Sequence, residues 1–123
     1  MKQQRKRRVD EAVRHVVAAS VEELADPALG FVTVTGVDVS ADLEHATVRV
    51  SVLGGERRRR DALRGLDRAR GLLQSRIGRE LHLRRTPVLR FQYDEGVDRA
   101  MRINELLNEA GSPGSGGGSG ETP

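Results

Sequence analysis

Between Leu63 and Leu81 the chain carries an apolar stripe that only a helix can bury on one side, and a glycine interrupts its middle. Leu63, Leu66, Ala69 or Arg70, Leu73, Ile77 and Leu81 recur at three- and four-residue spacing, so one face packs on a core. Gly71 costs roughly 0.8–1 kcal/mol relative to alanine in a helix interior. Its presence there predicts a bend, or a close approach of backbone. Arg64, Arg68, Arg70, Arg76 and Arg79 lie around it, which rings the expected bend with positive charge suited to phosphate.

At 123 residues the chain fits one domain with a single modest core. Hydrophobic residues make up 37% and charged residues 32%, which suits a soluble, charge-rich domain. No apolar run approaches the roughly 20 residues that span a bilayer. The basic start, Met1 to Arg8, leads into a charged amphipathic segment and not into the apolar core of a secretory signal. A cytoplasmic location is expected, with no membrane partner. Cysteine is absent, which excludes disulfides and thiolate metal sites.

The net charge of +3 conceals a segregation along the chain. Residues 1–8 hold five basic groups and no acidic one, and residues 57–90 hold twelve arginines against Asp61, Asp67 and Glu80. Residues 9–55 reverse the sign, with Arg14 and Arg49 against eight carboxylates. A folded domain with one positive and one negative side favours oriented approach to nucleic acid; the plainer alternative is a set of solvated helix faces.

Val9, Val13, Val16, Val17, Ser20 and Leu24 share one face of a first helix over Arg7 to Ala25, closed by Asp26-Pro27-Ala28-Leu29-Gly30. Phe31 to Ser40 reads as a strand whose inward parity shifts at Gly36, predicting a β-bulge. His45 to Leu53 alternates as a second strand, antiparallel to the first across a short link. A helix is expected from about Arg59 to Gly71 and a second to about Leu83. Leu89, Phe91 and Tyr93 mark a third strand, which periodicity alone does not place beside either hairpin strand. A closing helix around Val97 to Leu107 and a disordered Gly/Ser/Pro-rich tail complete the chain. The organisation is α+β: a basic arm over 1–8, a domain over 9–108 with a three-stranded sheet covered by helices, and a tail over 109–123.

No Gly-Lys-Ser or Gly-Lys-Thr phosphate loop is present, and His15, His45 and His82 lack the spacing of a zinc site. Asp94-Glu95 and Glu22-Glu23 fit turn or capping roles better than acid/base chemistry. Phe31, Phe91 and Tyr93 are the only aromatic residues, and their pattern fits core better than a base-stacking platform. Phosphate contact through arginine and through amides after Gly71 is the stronger option. The Arg57 to Arg60 run sits near a helix N-terminus, where it is either solvated or compensated by an external anion.

Asp26-Pro27-Ala28-Leu29-Gly30, Thr33-Val34-Thr35-Gly36-Val37 with Ser40-Ala41-Asp42-Leu43, Ala69-Arg70-Gly71, and Thr86-Pro87-Val88-Leu89-Arg90-Phe91 with Tyr93-Asp94 occur in one order. In that combination, from about Arg5 to Leu107, the chain resembles the ribosome-binding factor A family. The resemblance implies a single type II KH-like domain in which an interhelical Ala-x-Gly kink, here Ala69-Arg70-Gly71, replaces the usual Gly-x-x-G loop. It implies a bacterial cytoplasmic factor without catalytic residues or cofactor. Such a factor binds the small (30S) ribosomal subunit, promotes late maturation and 5′-end processing of 16S rRNA, and leaves before translation.

Ala69, Arg70 and Gly71 are expected RNA contacts by that motif. Lys2, Arg5, Lys6, Arg7, Arg8, Arg68, Arg76, Arg79, Arg84 and Arg85 join them from charge and position. Ala28 stands where the family often has a basic residue, which lowers the expected contribution of that turn. The chain is expected to act as a monomer on rRNA, with no small-molecule substrate. A general duplex nucleic-acid binder and an RNA-processing enzyme are the competing readings.

Overall fold

The computed structural model describes residues 2–24, 26–27, 29–96, 99 and 103–107, with side chains from Gln4 onward. The expected disordered tail over 109–123 and the position of Ala28 lie outside the described residues. The chain divides into two units, Met1–Tyr93 and Asp94–Pro123.

The first unit runs α1 (Lys2–Glu23), β1 (Val32–Val39), β2 (His45–Val52), α2 (Glu56–Arg68), α3 (Arg70–Glu80) and β3 (Val88–Tyr93). In α1, Val13, Val16, Val17, Ser20 and Val21 are buried, the spacing of one helical stripe. The helix starts earlier than its apolar pattern suggests, since residues 2–8 form its first two turns. Straight-chain lysine, arginine and glutamine are good helix formers, so polar composition did not stop it. After Glu23 the chain turns at Asp26-Pro27: the Leu29 amide donates to the Asp26 carbonyl at 3.0 Å, and Gly30 takes a φ of +55°. That turn places Leu29 in the core.

β1 and β2 pair antiparallel, with Val34, Val37 and Val39 facing inward opposite Ala46, Val48 and Val50. The register slips between Val34 and Gly36, the bulge expected from the parity change. The guanidinium of Arg49 lies over Gly36, 2.6 Å from where a Cβ would stand. The link between the strands is a knot of short bonds. Asp42 accepts from the Ser40 hydroxyl at 2.6 Å and from the Glu44 amide at 2.9 Å, while Leu43 is held at φ +62°. The Ser40 bond, followed by that of the Glu44 amide, holds the Asp42 carboxyl below its usual range.

β3 lies beside β2 and runs parallel to it, from the pair His45↔Val88 to Val50↔Tyr93, so the sheet order is β1-β2-β3. A parallel neighbour demands a crossover, and α2 and α3 supply it. The Leu89 amide donates to Gln74 Oε1 at 3.0 Å, pinning the strand to α3. Ala62 and Leu66 from α2, Leu73 and Ile77 from α3, and Leu89 from β3 are fully buried in the same core. This is the α+β, KH-like order that the resemblance implied.

Two expectations about the crossover need correction. The first helix of the pair begins at Glu56 and not near Arg59, and the second ends at Glu80 and not near Leu83. More consequential, the break falls at Ala69, with φ −88° and ψ 0°, and Gly71 is the second residue of α3. Ala69 sits in the bridge region of backbone space, which a non-glycine residue can occupy. The glycine demanded by packing is Gly65. A Cβ there would lie 2.9 Å from Leu29 Cδ2, so the turn after α1 rests directly on the α2 backbone. Gly65→Val is expected to lower stability by about 1–3 kcal/mol through overpacking, read as a lower urea midpoint; an unchanged midpoint would show that Leu29 moves aside freely.

In the second unit Glu95, Gly96, Arg99 and residues 103–107 are helical, in keeping with the expected closing helix. Asp94 Oδ1 accepts from the Gly96 amide at 3.0 Å, the capping role foreseen for it.

Candidate nucleic-acid interface

The helical elbow exists, and its arginines are held by carboxylates distant in sequence. Arg68 Nη2 reaches Asp26 Oδ2 at 3.3 Å, and Arg76 Nη1 reaches Glu23 Oε1 at 2.6 Å and the Ser20 hydroxyl at 3.4 Å. Arg64 pairs with Asp61 at 3.2 Å within α2, and Arg70 pairs with Asp67 at 2.6 Å across the break between the helices. At the other end of α3, Arg85 pairs with Glu44 at 2.9 Å, tying the α3–β3 link to the β1–β2 turn. Lys6 bridges Asp10 at 2.9 Å and Asp38. Its bonds to Asp38 and then Asp10 hold the ammonium above its ordinary pKa.

Arg5, Arg7, Arg8, Arg79 and Arg84 make no ion pair among the described residues. The side chain of Lys2 lies outside the described positions. Arg5 and Arg84 both line an open depression of about 530 Å³, together with Val9, Val39, Ala41 and Leu43.

The cations extend well beyond the bend. Arg68 and Arg76 meet the C-terminal end of α1, whereas Arg84 meets its N-terminal end, so α1 and α3 run antiparallel. Eighteen residues of helix separate Arg5 from Glu23, about 27 Å at 1.5 Å per residue. Arg5, Arg84, Arg76 and Arg68 therefore lie along the α1–α3 seam, with the elbow at one end and the start of α1 at the other, while Lys6 turns to Asp38 of β1. Exposed ion pairs of this kind contribute at most about 1 kcal/mol each, so a phosphate can displace the carboxylates at small cost.

Ala69 caps α3 without any side-chain hydrogen bond, and the space beside Gly71 is open, with no atom within 4 Å of a built Cβ. Gly71 is exposed at the elbow, while the Ala69 amide donates to the Gly65 and Leu66 carbonyls at 3.1 and 3.0 Å. Because Gly71 has an ordinary φ and no steric need, Gly71→Ala is expected to leave the fold intact and raise stability by roughly 0.5–1 kcal/mol. A thermal melt shows this directly, and a fall in Tm would mean the glycine serves the bend after all.

Two further expectations change. Phe31 is 74% exposed and not core, while Phe91 and Tyr93 are half-buried against the core. Half of the Arg57 to Arg60 run is engaged by the protein itself: Arg59 stacks 4.0 Å from the Tyr93 ring centroid, and the stem of Arg58 covers Gly54. Sequence spacing could not show either, because Tyr93 and Gly54 meet α2 only through the fold. Among the described residues no group of His, Asp and Glu could hold a metal ion. No described helix is long and apolar enough to cross a membrane.

The ribosome-binding factor A family matches residues 5–107. The ribosome-binding factor A of Natranaerobius thermophilus is 41% identical over 106 residues, covering 85% of this chain and 81% of that protein. That of Anaeromyxobacter sp. strain K is 51% identical over 109 residues, covering 87% and 79%. The crystal structure of the Thermus thermophilus factor superposes with a TM-score of 0.66 at 31% identity, over 72% of this chain and 94% of that one. Coordinates of the Thermus thermophilus factor fitted into a cryo-EM map of a 30S–RbfA complex superpose with a TM-score of 0.59 at 30% identity, over 70% and 91%. With sequence, element order and fold in agreement over most of its length, the chain belongs to the ribosome-binding factor A family.

Proposed function

We propose that the protein is a non-enzymatic assembly factor that binds the small ribosomal subunit in the cytoplasm as a monomer. In this role it promotes late maturation and 5′-end processing of 16S rRNA. The observation that carries this reading is the run of cations along the α1–α3 seam, from Arg5 and Arg84 at one end to Arg76 and Arg68 at the elbow. Membership of a family with a relative fitted into a 30S complex supports it.

The band has the chemistry of a backbone reader. Arg5, Arg7, Arg8, Arg79 and Arg84 lack ion-pair partners among the described residues and can take phosphates at once. Arg68, Arg70, Arg76 and Arg85, with Lys6, are already extended toward carboxylates and can exchange them. Guanidinium groups bind phosphate oxygens in pairs, which fixes orientation as well as charge. A spread of about 27 Å suits a structured RNA with several phosphates in fixed relation, more than a single bound nucleotide. Processing then follows from holding a conformation of the precursor that other enzymes cut.

Sedimentation through a sucrose gradient with precursor and mature small subunits tests this. The protein is expected to travel with subunits and to prefer the precursor; failure to travel with either would end the proposal. A general duplex binder has the same surface but behaves differently in competition. Bulk DNA at matched phosphate concentration would strip such a binder from the subunit, and retention is the expected result.

A further inference from the structure

Phe31 and Leu53 form an apolar pair on the outside of the sheet at its α2 end. The partners Val32 and Val52 lie opposite each other, and Phe31 and Leu53 are the next residues out, joined by a 3.2 Å bond from the Leu53 amide to the Phe31 carbonyl. They are 74% and 70% exposed. Leaving a phenyl ring in water beside a leucine forgoes burial worth roughly 1.5–3 kcal/mol per side chain. Such a pair offers an apolar contact surface, and the charges around it decide what it suits.

The cations beside it are held in place. Gly30, which precedes Phe31, and Gly54, which follows Leu53, both have left-handed φ, +55° and +126°. The Arg58 side chain lies across the two: its Cγ and Cδ stand 2.9 and 2.8 Å from the Cβ site of Gly54, and its Nη1 stands 3.4 Å from that of Gly30. Arg58 is thereby anchored against the immediate neighbours of both exposed apolar residues, and it makes no ion pair among the described residues. Arg57 and Arg60 flank it in the first turns of α2, exposed and likewise without an ion pair among those residues. Arg57, Arg58 and Arg60 beside Glu56 at a helix N-terminus oppose the helix dipole, which an anion from outside relieves.

We propose that Phe31, Leu53 and Arg58 form a stacking site for a single-stranded RNA segment, separate from the cationic band of the α1–α3 seam. An unpaired base lies on the phenyl ring and the leucine, and its phosphates meet Arg57 and Arg58. The proposal rests on the RNA-binding reading above and names a single-stranded contact within it. A flat aromatic face accepts any base, so the site is tolerant of sequence. Duplex RNA does not fit, since its base faces are already stacked. A protein partner would use the apolar pair without calling on Arg57, Arg58 and Arg60.

Full-length protein carrying Phe31→Trp is expected to show quenching of tryptophan fluorescence with a short single-stranded oligoadenylate and none with an RNA duplex of equal length. Phe31→Ala is expected to weaken oligoadenylate binding roughly fivefold to hundredfold, the loss of one base–aromatic stack. Phe31→Leu should recover little of it. Arg58→Met, which keeps the stem over Gly54, should weaken binding and flatten its salt dependence. Phe31 is exposed, so these changes leave folding intact, which circular dichroism verifies. An unquenched tryptophan, equal quenching by duplex, or full affinity in Phe31→Leu would overturn the proposal. Normal sedimentation with subunits alongside an unquenched tryptophan would overturn the stacking site and leave the assembly role standing. Quenching by oligoadenylate without subunit binding would do the reverse.

Discussion

Leu66→Ala is expected to lower the free energy of unfolding by about 2–5 kcal/mol, the largest stability loss from any single truncation considered. Leu66 is fully buried in the core cluster and lies one residue from Gly65, whose backbone carries the Leu29 turn. Truncation removes apolar contact and leaves a void bordered by the α2 backbone, which is pinned by that turn and cannot collapse inward. For a domain of this size, total stability is usually about 5–15 kcal/mol, so the variant is expected to be partly unfolded at elevated temperature. Urea titration should show a much lower midpoint at nearly constant slope. A loss below about 1 kcal/mol would mean that the core repacks and that the α2–turn contact is not a fixed support.

Subunit binding is expected to weaken by about 2.4 to 3.6 orders of magnitude between about 50 and 200 mM salt. Each neutralised phosphate contributes a slope of roughly −0.7 to −0.9 in log affinity against log salt. Arg5, Arg7, Arg8, Arg79 and Arg84, which hold no ion pair among the described residues, together with a share of the exchanging pairs, then give a slope of about −4 to −6. Arg79→Ala with Arg84→Ala should reduce that slope by about 2 and weaken binding at low salt. Arg68→Ala should do less, because part of its charge is already met by Asp26 at 3.3 Å. A slope near zero, or one untouched by the double substitution, would remove the band from the interface.

Much of the fold was legible because it follows from local rules. The valine alternation of β1 and β2, and its slip at Gly36, depends only on residues adjacent in sequence, and the bulge stands where parity changed. The helix pair was visible in its three- and four-residue stripe, and Leu66, Leu73 and Ile77 are all buried. What escaped depends on distant partners. A glycine in a helix signals some backbone need, but whether Gly65 or Gly71 answers it depends on Leu29, brought in by another element. Likewise Arg68, Arg76 and Arg85 count as bare charge in sequence, yet their carboxylates lie 42, 53 and 41 residues away. Phe31 was misplaced for a related reason: its own strand keeps the same alternation whether the outer face is covered or open. The side of β2 taken by β3 was equally hidden, since it belongs to the crossover.

That parallel strand has a consequence for a chain emerging from synthesis. Until Val88 to Tyr93 arrives, the β1–β2 hairpin presents the far side of His45–Val52 with open amides and carbonyls, along a ribbon whose inner positions are Ala46, Val48, Val50 and Val52. Such a border is a template for pairing with another nascent copy. The last strand does more than add Leu89 to the interior; it seals the hairpin against its own siblings, so a polypeptide interrupted after Glu80 should aggregate where the finished one stays dispersed.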